Sequence, residues 1–272
     1  MQETGNNIKQ NKSLSIRVCA DGLSFCVYTP SSPEPFEYKV YKVKPTISLA
    51  ANLKEALMTE PILKENYQRV NVIVSTANFT TVPVVAFKSE DVEDIYNYVF
   101  PKATPRKISY NVLRRSGIAI IFGLDKNIYQ LILDDFPRAR FYASASTLIE
   151  FFGERSLLGT NKKMFSYIHE NEMTLYAFDQ GRLLFVNTFN VHETADCQYY
   201  ILNVWKQLGM DQIDDALFII TDNEKRKDLS EKIQLFLKSV SVIDRKDDFR
   251  HTLTKGDAFM PYDLQTLLVC GF

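Results

Sequence analysis

From Leu14 onward the chain alternates between apolar and polar positions, with Leu14, Ile16, Val18 and Ala20 on one face and Ser15, Arg17 and Cys19 on the other. A period of two marks a half-buried strand. Asp21-Gly22 reads as a two-residue hairpin turn. Beyond it Leu23, Phe25 and Val27 continue the apolar face, and Ser24 and Cys26 the polar one. A third strand is predicted over Phe36 to Val43, after the break between Pro30 and Pro35. The period then changes, and Leu49, Leu53, Ala56 and Leu57 recur at helical spacing until Pro61 stops them. The apolar run Val70 to Val74 is short enough for a buried strand. Ser89-Glu90-Asp91-Val92 opens another helix with an N-cap and an acidic first turn, which Pro101 ends.

The same grammar returns at Lys163. Met164 to His169 and Met173 to Phe178 form a hairpin, Leu183 to Phe189 a third strand, and Glu193 to Leu208 a helix closed by Gly209. Ala216 to Thr221 reads as a buried strand, Leu229 to Leu237 as a helix and Val240 to Ile243 as a strand. Both halves spell βββαβα followed by a further strand, an internal duplication. Between them are a predicted strand at Ile118 to Phe122, a helix from Asp125 to Leu133, a strand at Arg138 to Tyr142 and a helix from Ser146 to Glu154. These are assigned to the first half. Lys102, Arg106, Lys107, Arg114 and Arg115 form an acid-free stretch that reads as a solvated linker face, the alternative being a patch for an anionic partner.

Composition narrows the class. The 272 residues are 46% hydrophobic and carry 32 basic against 33 acidic side chains, a net charge of −1. That apolar share requires a packed core, and the charge balance offers no basic field for a nucleic acid. No apolar run reaches the roughly 18 residues of a membrane span. The polar opening MQETGNNIKQNKS lacks the features of a signal peptide, so a cytoplasmic protein without membrane insertion is expected. Cys19, Cys26, Cys197 and Cys270 show no metal-type pairing and read as reduced thiols. With Asp21-Gly22 as the turn, Cys19 faces Ser24 and Cys26 is diagonal to it, roughly 7 to 8 Å away and too far for a bridge.

Two tandem copies of three antiparallel strands, helix, strand and helix resemble the actin-like ATPase fold, the duplicated ribonuclease-H-like architecture of actin, sugar kinases, heat-shock ATPases and pilus-assembly ATPases. The second half, with FDQGRLLFVNTF between its hairpin and long helix, looks most like the pilus-assembly and secretion-platform branch. More narrowly, the chain looks like a family of uncharacterised bacterial proteins with this fold. The resemblance implies an α/β protein of two lobes: a first lobe over 14–161, a second over 162–245, and a return segment over 246–272 packing back toward the first. Pro261 and Asp263 suit a helix start there, with Leu264, Leu267 and Leu268 at helical spacing. The other reading is an apolar tail that binds a partner.

In active members each hairpin turn is a phosphate loop in which an aspartate organises Mg²⁺ and glycines let the backbone approach the phosphates. Aligning the hairpins on Ser24 and Thr174 puts Cys19 and His169 at the aspartate places. The glycine places hold Asp21 and Leu23 in the first copy, Asn171 and Met173 in the second. Taking Asp21 as the catalytic acid instead leaves the second loop unrepaired. Glu170 and Glu172 add negative charge beside a triphosphate, costing roughly 3 kcal/mol per charge pair near 5 Å at an effective dielectric of about 20. The Gly-Gly adenosine signature is replaced by Thr221-Asp222-Asn223-Glu224. Cys19, Asp21, Gly22, Ser24, His169, Asn171 and Thr174 are therefore read as degenerate phosphate-loop positions, with no ATP, cofactor or metal expected. A protein partner is expected, a homodimer being one arrangement, and a scaffold or adaptor is the leading reading. An enzyme or phosphorylated-ligand binder with a remodelled interlobe cleft is the alternative.

Other constellations have plain readings. Cys19 with His169 could act as nucleophile and base, but a small residue beside a turn and a strand-end histidine need no such role. His192 and His251 lack zinc-type partners. Asp134-Asp135 and Asp214-Asp215 suit helix ends and turns. Tyr199, Tyr200 and Trp205 read as a packed helix face, with an aromatic binding shelf as the alternative.

Overall fold

Alternation does produce the strands the sequence predicts. In a computed structural model that describes residues 12–20, 22–30, 32, 35–101, 106–221, 228–243 and 260–270, β1 (Ser13–Cys19) and β2 (Gly22–Tyr28) form an antiparallel hairpin joined by β3 (Phe36–Tyr41). Helix α1 (Leu49–Thr59) follows, its first turn capped by Ser48, whose hydroxyl accepts from Ala51 N–H at 3.1 Å. β4 (Arg69–Val74) then pairs parallel to β1, and β8 (Arg140–Ala143) parallel to β4. The sheet order is β3-β2-β1-β4-β8.

The second half repeats this. β9 (Lys163–His169), β10 (Glu172–Asp179), β11 (Arg182–Asn190), α5 (Thr194–Gln207), β12 (Ala216–Thr221), α6 (Leu229–Gln234) and β13 (Ser239–Val242) build a sheet of order β11-β10-β9-β12-β13. Helix α5 opens on a capping box between Glu193 and Asp196, and Gly209 takes φ +57° just past its end, where a Cβ would be unfavourable. The two orders superpose strand for strand: the chain is an α/β protein with a duplicated, two-lobed actin-like fold.

The first lobe carries an insertion between β4 and β8. β5 (Phe79–Pro83), β6 (Arg106–Leu113) and β7 (Ile118–Asp125) form a separate sheet of order β5-β7-β6, with α2 (Val92–Val99) packed against it and α3 (Lys126–Asp135) following β7. This corrects the basic stretch. Its residues 102–105, Lys102 among them, lie outside the described residues, while Arg106 and Lys107 belong to a strand rather than a linker. Lys107 lies over the Tyr129 ring, 5.8 Å from its centroid. Lys107 is exposed and Arg106 half-buried with its Cδ close to Gly123, so a charge-rich segment can still pair. Asn111 of β6 ties the insertion to the main sheet: its side chain donates to Phe141 C=O at 2.9 Å and accepts from Ala143 N–H at 2.9 Å.

Each lobe's last helix packs on the other lobe. α4 (Ser144–Ser156) follows β8, yet its Phe152 stacks on Phe165 of β9 with ring centroids 4.4 Å apart. α7 (Tyr262–Cys270) contributes Leu264 and Leu267 to a cluster with Cys26, Phe36 and Ile73 of the first sheet. The two helices also pack on one another, Thr266 Oγ1 donating to Thr147 Oγ1 at 3.0 Å. Among the described residues no helix is long and apolar enough to cross a membrane.

Candidate functional site

Two hairpin turns bracket the place where the lobes meet. In the first, Cys19 pairs with Gly22 and Arg17 with Ser24; in the second, His169 pairs with Glu172 and Tyr167 with Thr174. Cys19 and His169 therefore hold equivalent positions. Cys19 pairs with Gly22, where an Asp21-Gly22 turn would have paired it with Ser24, a register shift of two residues. Two is the period of a strand, so every side chain keeps its face, but Cys26 moves opposite Ser15 and farther from Cys19. Both thiols are free of disulfides. Gly22 begins β2 instead of turning, and Cys19 Sγ donates to its carbonyl at 3.2 Å. Asp21 itself lies outside the described residues. Opposite, Glu170 takes φ +51°, a left-handed conformation that is costly for a side-chain-bearing residue.

Under these turns is a buried charge pair. Arg17 of β1 directs Nε between the Asp263 carboxylate oxygens at 2.9 and 3.0 Å. Ser144, the first residue of α4, donates to Asp263 Oδ2 at 2.8 Å, and Leu264 N–H donates to Oδ1 at 2.8 Å. One carboxylate thus joins a strand of the first lobe to the starts of both crossing helices. Burial alone would push Asp263 upward, but Arg17 and, more weakly, His169 hold its carboxyl below the ordinary range. For Arg17 burial works downward, and Asp263 outweighs it so that the guanidinium stays charged. The sequence marks Arg17 only as a polar-face residue and Asp263 only as a helix start; that each is the other's counter-ion is a long-range fact carried by no local pattern.

The remaining candidates separate. Cys19 and His169 line one groove together with Arg17, Ser24, Glu170 and Pro261, of about 440 Å³. A second groove, of about 380 Å³, runs from Cys19 along Ser75 and Thr76 to Arg106 and Glu172. Thr174, below the second turn, accompanies His169, Glu172, Ser144 and Tyr167 around a gap of only about 20 Å³, room for a single water. Asn171 sits at the tip of the second turn. Asp134 accepts from Gln130 at the end of α3, and Asp215 accepts from Lys162 N–H and Asp211 N–H at 2.7 Å each, so both acidic pairs serve local geometry. Trp205 is buried and Tyr200 stacks on Phe189 at 4.3 Å, whereas Tyr199 projects outward. Among the described residues no cluster of three His, Cys, Asp or Glu could hold a metal.

The fold's usual ligand, a magnesium triphosphate, does not fit the residues present. On the resemblance, phosphate oxygens would approach the second turn, which carries Glu170 and Glu172. Among the described residues the buried carboxylate at the floor, Asp263, is paired with Arg17. Residues 222–224, which the resemblance puts at the adenosine position, lie outside the described residues.

Known structures share the architecture. A Bacteroides thetaiotaomicron protein with an actin-like ATPase fold and unknown function is 31% identical, with a TM-score of 0.82 and 96% of each chain covered. The type IV pilus biogenesis complex of PilM and PilN contains a chain similar at 9% identity, TM-score 0.51, with 94% of each covered. The ethanolamine utilization protein EutJ from Carboxydothermus hydrogenoformans matches at 9% identity, TM-score 0.45, over 85% of this chain and 84% of its own. No curated protein matches the chain. Residues 2–240 match the family model described as protein of unknown function DUF3822, and the chain belongs to that family.

Proposed function

We propose that this chain is a non-catalytic member of the actin-like fold, a scaffold or adaptor whose lobes serve protein assembly. The observation that carries this reading is the Arg17–Asp263–Ser144 junction. It supplies from within the chain the opposite charges that a nucleotide and its metal would otherwise bring to the floor of the cleft. The gap beneath the second turn leaves space for about one water. In this reading 14–161 and 162–245 act as two lobes, 246–272 as the segment that ties them, and the expected partner is a protein, a second copy included.

Isothermal titration calorimetry of ATP with Mg²⁺ into the full chain tests it. No saturable heat is expected at micromolar protein, and no ATP turnover. A dissociation constant below about 100 µM, roughly −5.5 kcal/mol, would overturn the reading.

A further inference from the structure

β11 is the outer strand of the second sheet and runs for nine residues, and among the described residues no strand pairs with its outer side. The other sheet edges are guarded in the usual ways. β3 carries exposed Glu37 and Lys39, β5 ends on Pro83, β6 is fastened to β8 through Asn111, and β13 is only four residues long. β11 has a single charge, Arg182 at its first position, and no proline. The direction of its backbone groups follows from two hydrogen bonds. Val191 N–H turns inward to Asn171 C=O at 2.8 Å, whereas Thr188 N–H turns away from β10 and donates to Asn187 Oδ1 at 3.0 Å. Alternation along a strand then points the N–H and C=O groups of Val186 and Thr188 outward.

We infer that a second copy of this chain pairs with that edge, β11 against β11, antiparallel about a two-fold axis at Asn187. The sequence selects the occupant. Phe185-Val186-Asn187-Thr188-Phe189 reads alike in both directions: aromatic, β-branched, Asn, β-branched, aromatic. Antiparallel pairing centred on Asn187 sets Phe185 opposite Phe189 twice and Val186 opposite Thr188 twice, cross-strand pairs of the kinds that stabilise sheets. The main chain agrees. Outward-facing Val186 exchanges both hydrogen bonds with Thr188 of the second copy, and Asn187 falls at the non-bonded position on the axis, where opposing side chains are closest. Thr188 N–H trades Asn187 Oδ1 for a main-chain carbonyl, which frees the Asn187 amide to meet its counterpart. A centre at Val186 would instead bring Leu184, the residue of the bulge opposite Ala177 and Phe178, against Thr188. Phe185 and Phe189 already pack against the α5 side of the sheet, Phe189 on Tyr200, so pairing orders little that is free. This rests on the scaffold reading for its purpose, by naming one partner, yet the two fail separately: ATP binding and oligomeric state are different readouts.

Sedimentation velocity on the full chain tests it. The parent should form a dimer with a dissociation constant of about 100 µM or below. Asn187 is exposed, and Asn187→Asp or Asn187→Lys sets like charges directly opposite one another at the axis, so each variant alone should dimerise about fivefold or more weakly. An equimolar mixture of the two variants sets opposite charges there and should associate about fivefold or more tightly than either variant alone. Circular dichroism spectra matching the parent's exclude misfolding. A parent chain still monomeric at roughly 100 µM, variants that dimerise as the parent does, or a mixture no tighter than its components would each overturn the inference.

Discussion

Arg17 and Asp263 stand 246 positions apart and meet through two hydrogen bonds, of 2.9 and 3.0 Å, at a point neither lobe encloses alone. Both side chains are almost fully buried, at 3% and 0% exposure, so the pair is a joint between repeats rather than surface decoration. Removing one partner strands a charge in a dry site. Arg17→Met or Asp263→Leu alone should cost about 3 to 5 kcal/mol, whereas the two combined should cost less than either single change. Urea denaturation of the four proteins measures this; additive costs would mean that the two groups do not depend on one another.

The same pair sets an acid limit. Asp263 is held below its ordinary value in the folded chain, so unfolded chains bind this proton more readily. Its contribution is complete above the unfolded value of about 3.9 and is lost as the pH falls from about 4 toward the lower, folded value. The melting temperature should therefore drop more steeply below about pH 4 in the parent chain than in the Arg17→Met, Asp263→Leu variant. Identical slopes would place the acid sensitivity in other carboxylates.

Local periodicity made most of this architecture legible. Ile16 and Val18 announce β1, Leu49 and Leu53 announce α1, and both positions of the duplication could be read because each repeat writes its strands in the same order. The insertion was harder. Thr80, Thr81 and Pro83 of β5 are half-buried or exposed, and Arg106 and Lys107 open β6, so no clean apolar alternation marks either strand. They are strands because β7, with Ile120, Ile121 and Phe122 buried between them, supplies the pairing. Of the site, the equivalence of Cys19 and His169 was readable by aligning the two hairpins on Ser24 and Thr174. The Arg17–Asp263 junction was not, since a polar residue on an alternating strand gives no sign of whether it faces water or a counter-ion.

Gly123 of β7 offers a sharp test of how the insertion packs. A Cβ there would lie 2.7 Å from Tyr96 Cζ and 2.9 Å from Arg106 Cδ. Tyr96 is buried in a cluster with Val92 and Ile121, so its ring cannot swing clear. Gly123→Ala should cost about 1 to 3 kcal/mol through overpacking. The Tyr96 hydroxyl is itself buried without a partner and is the atom nearest the new Cβ, so adding Tyr96→Phe should return part of the loss by removing that contact and an unmet polar atom, while Cζ still crowds the site. Thermal melts of the single and double variants decide it, and an unshifted midpoint for Gly123→Ala would mean that α2 does not seat on β7 as described.

The last test concerns α7. Leu264 and Leu267 are buried against Cys26, Phe36 and Ile73, and burial of each leucine stabilises by roughly 1.5 to 3 kcal/mol. Deleting residues 263–272 removes both leucines and also strands Arg17, a further cost of about 3 to 5 kcal/mol. Set against a typical stability of about 5 to 15 kcal/mol, the truncated chain should be largely unfolded or insoluble. That outcome alone would not distinguish lost packing from lost charge. Leu264→Ala and Leu267→Ala leave Asp263 in place and should each cost about 2 to 5 kcal/mol, with Arg17 still paired and the acid limit unchanged. A tail kept free for a partner predicts the reverse, since its leucines would be in water before any partner arrived. Unshifted melting temperatures for both leucine variants would therefore remove α7 from the first lobe and return these residues to partner binding.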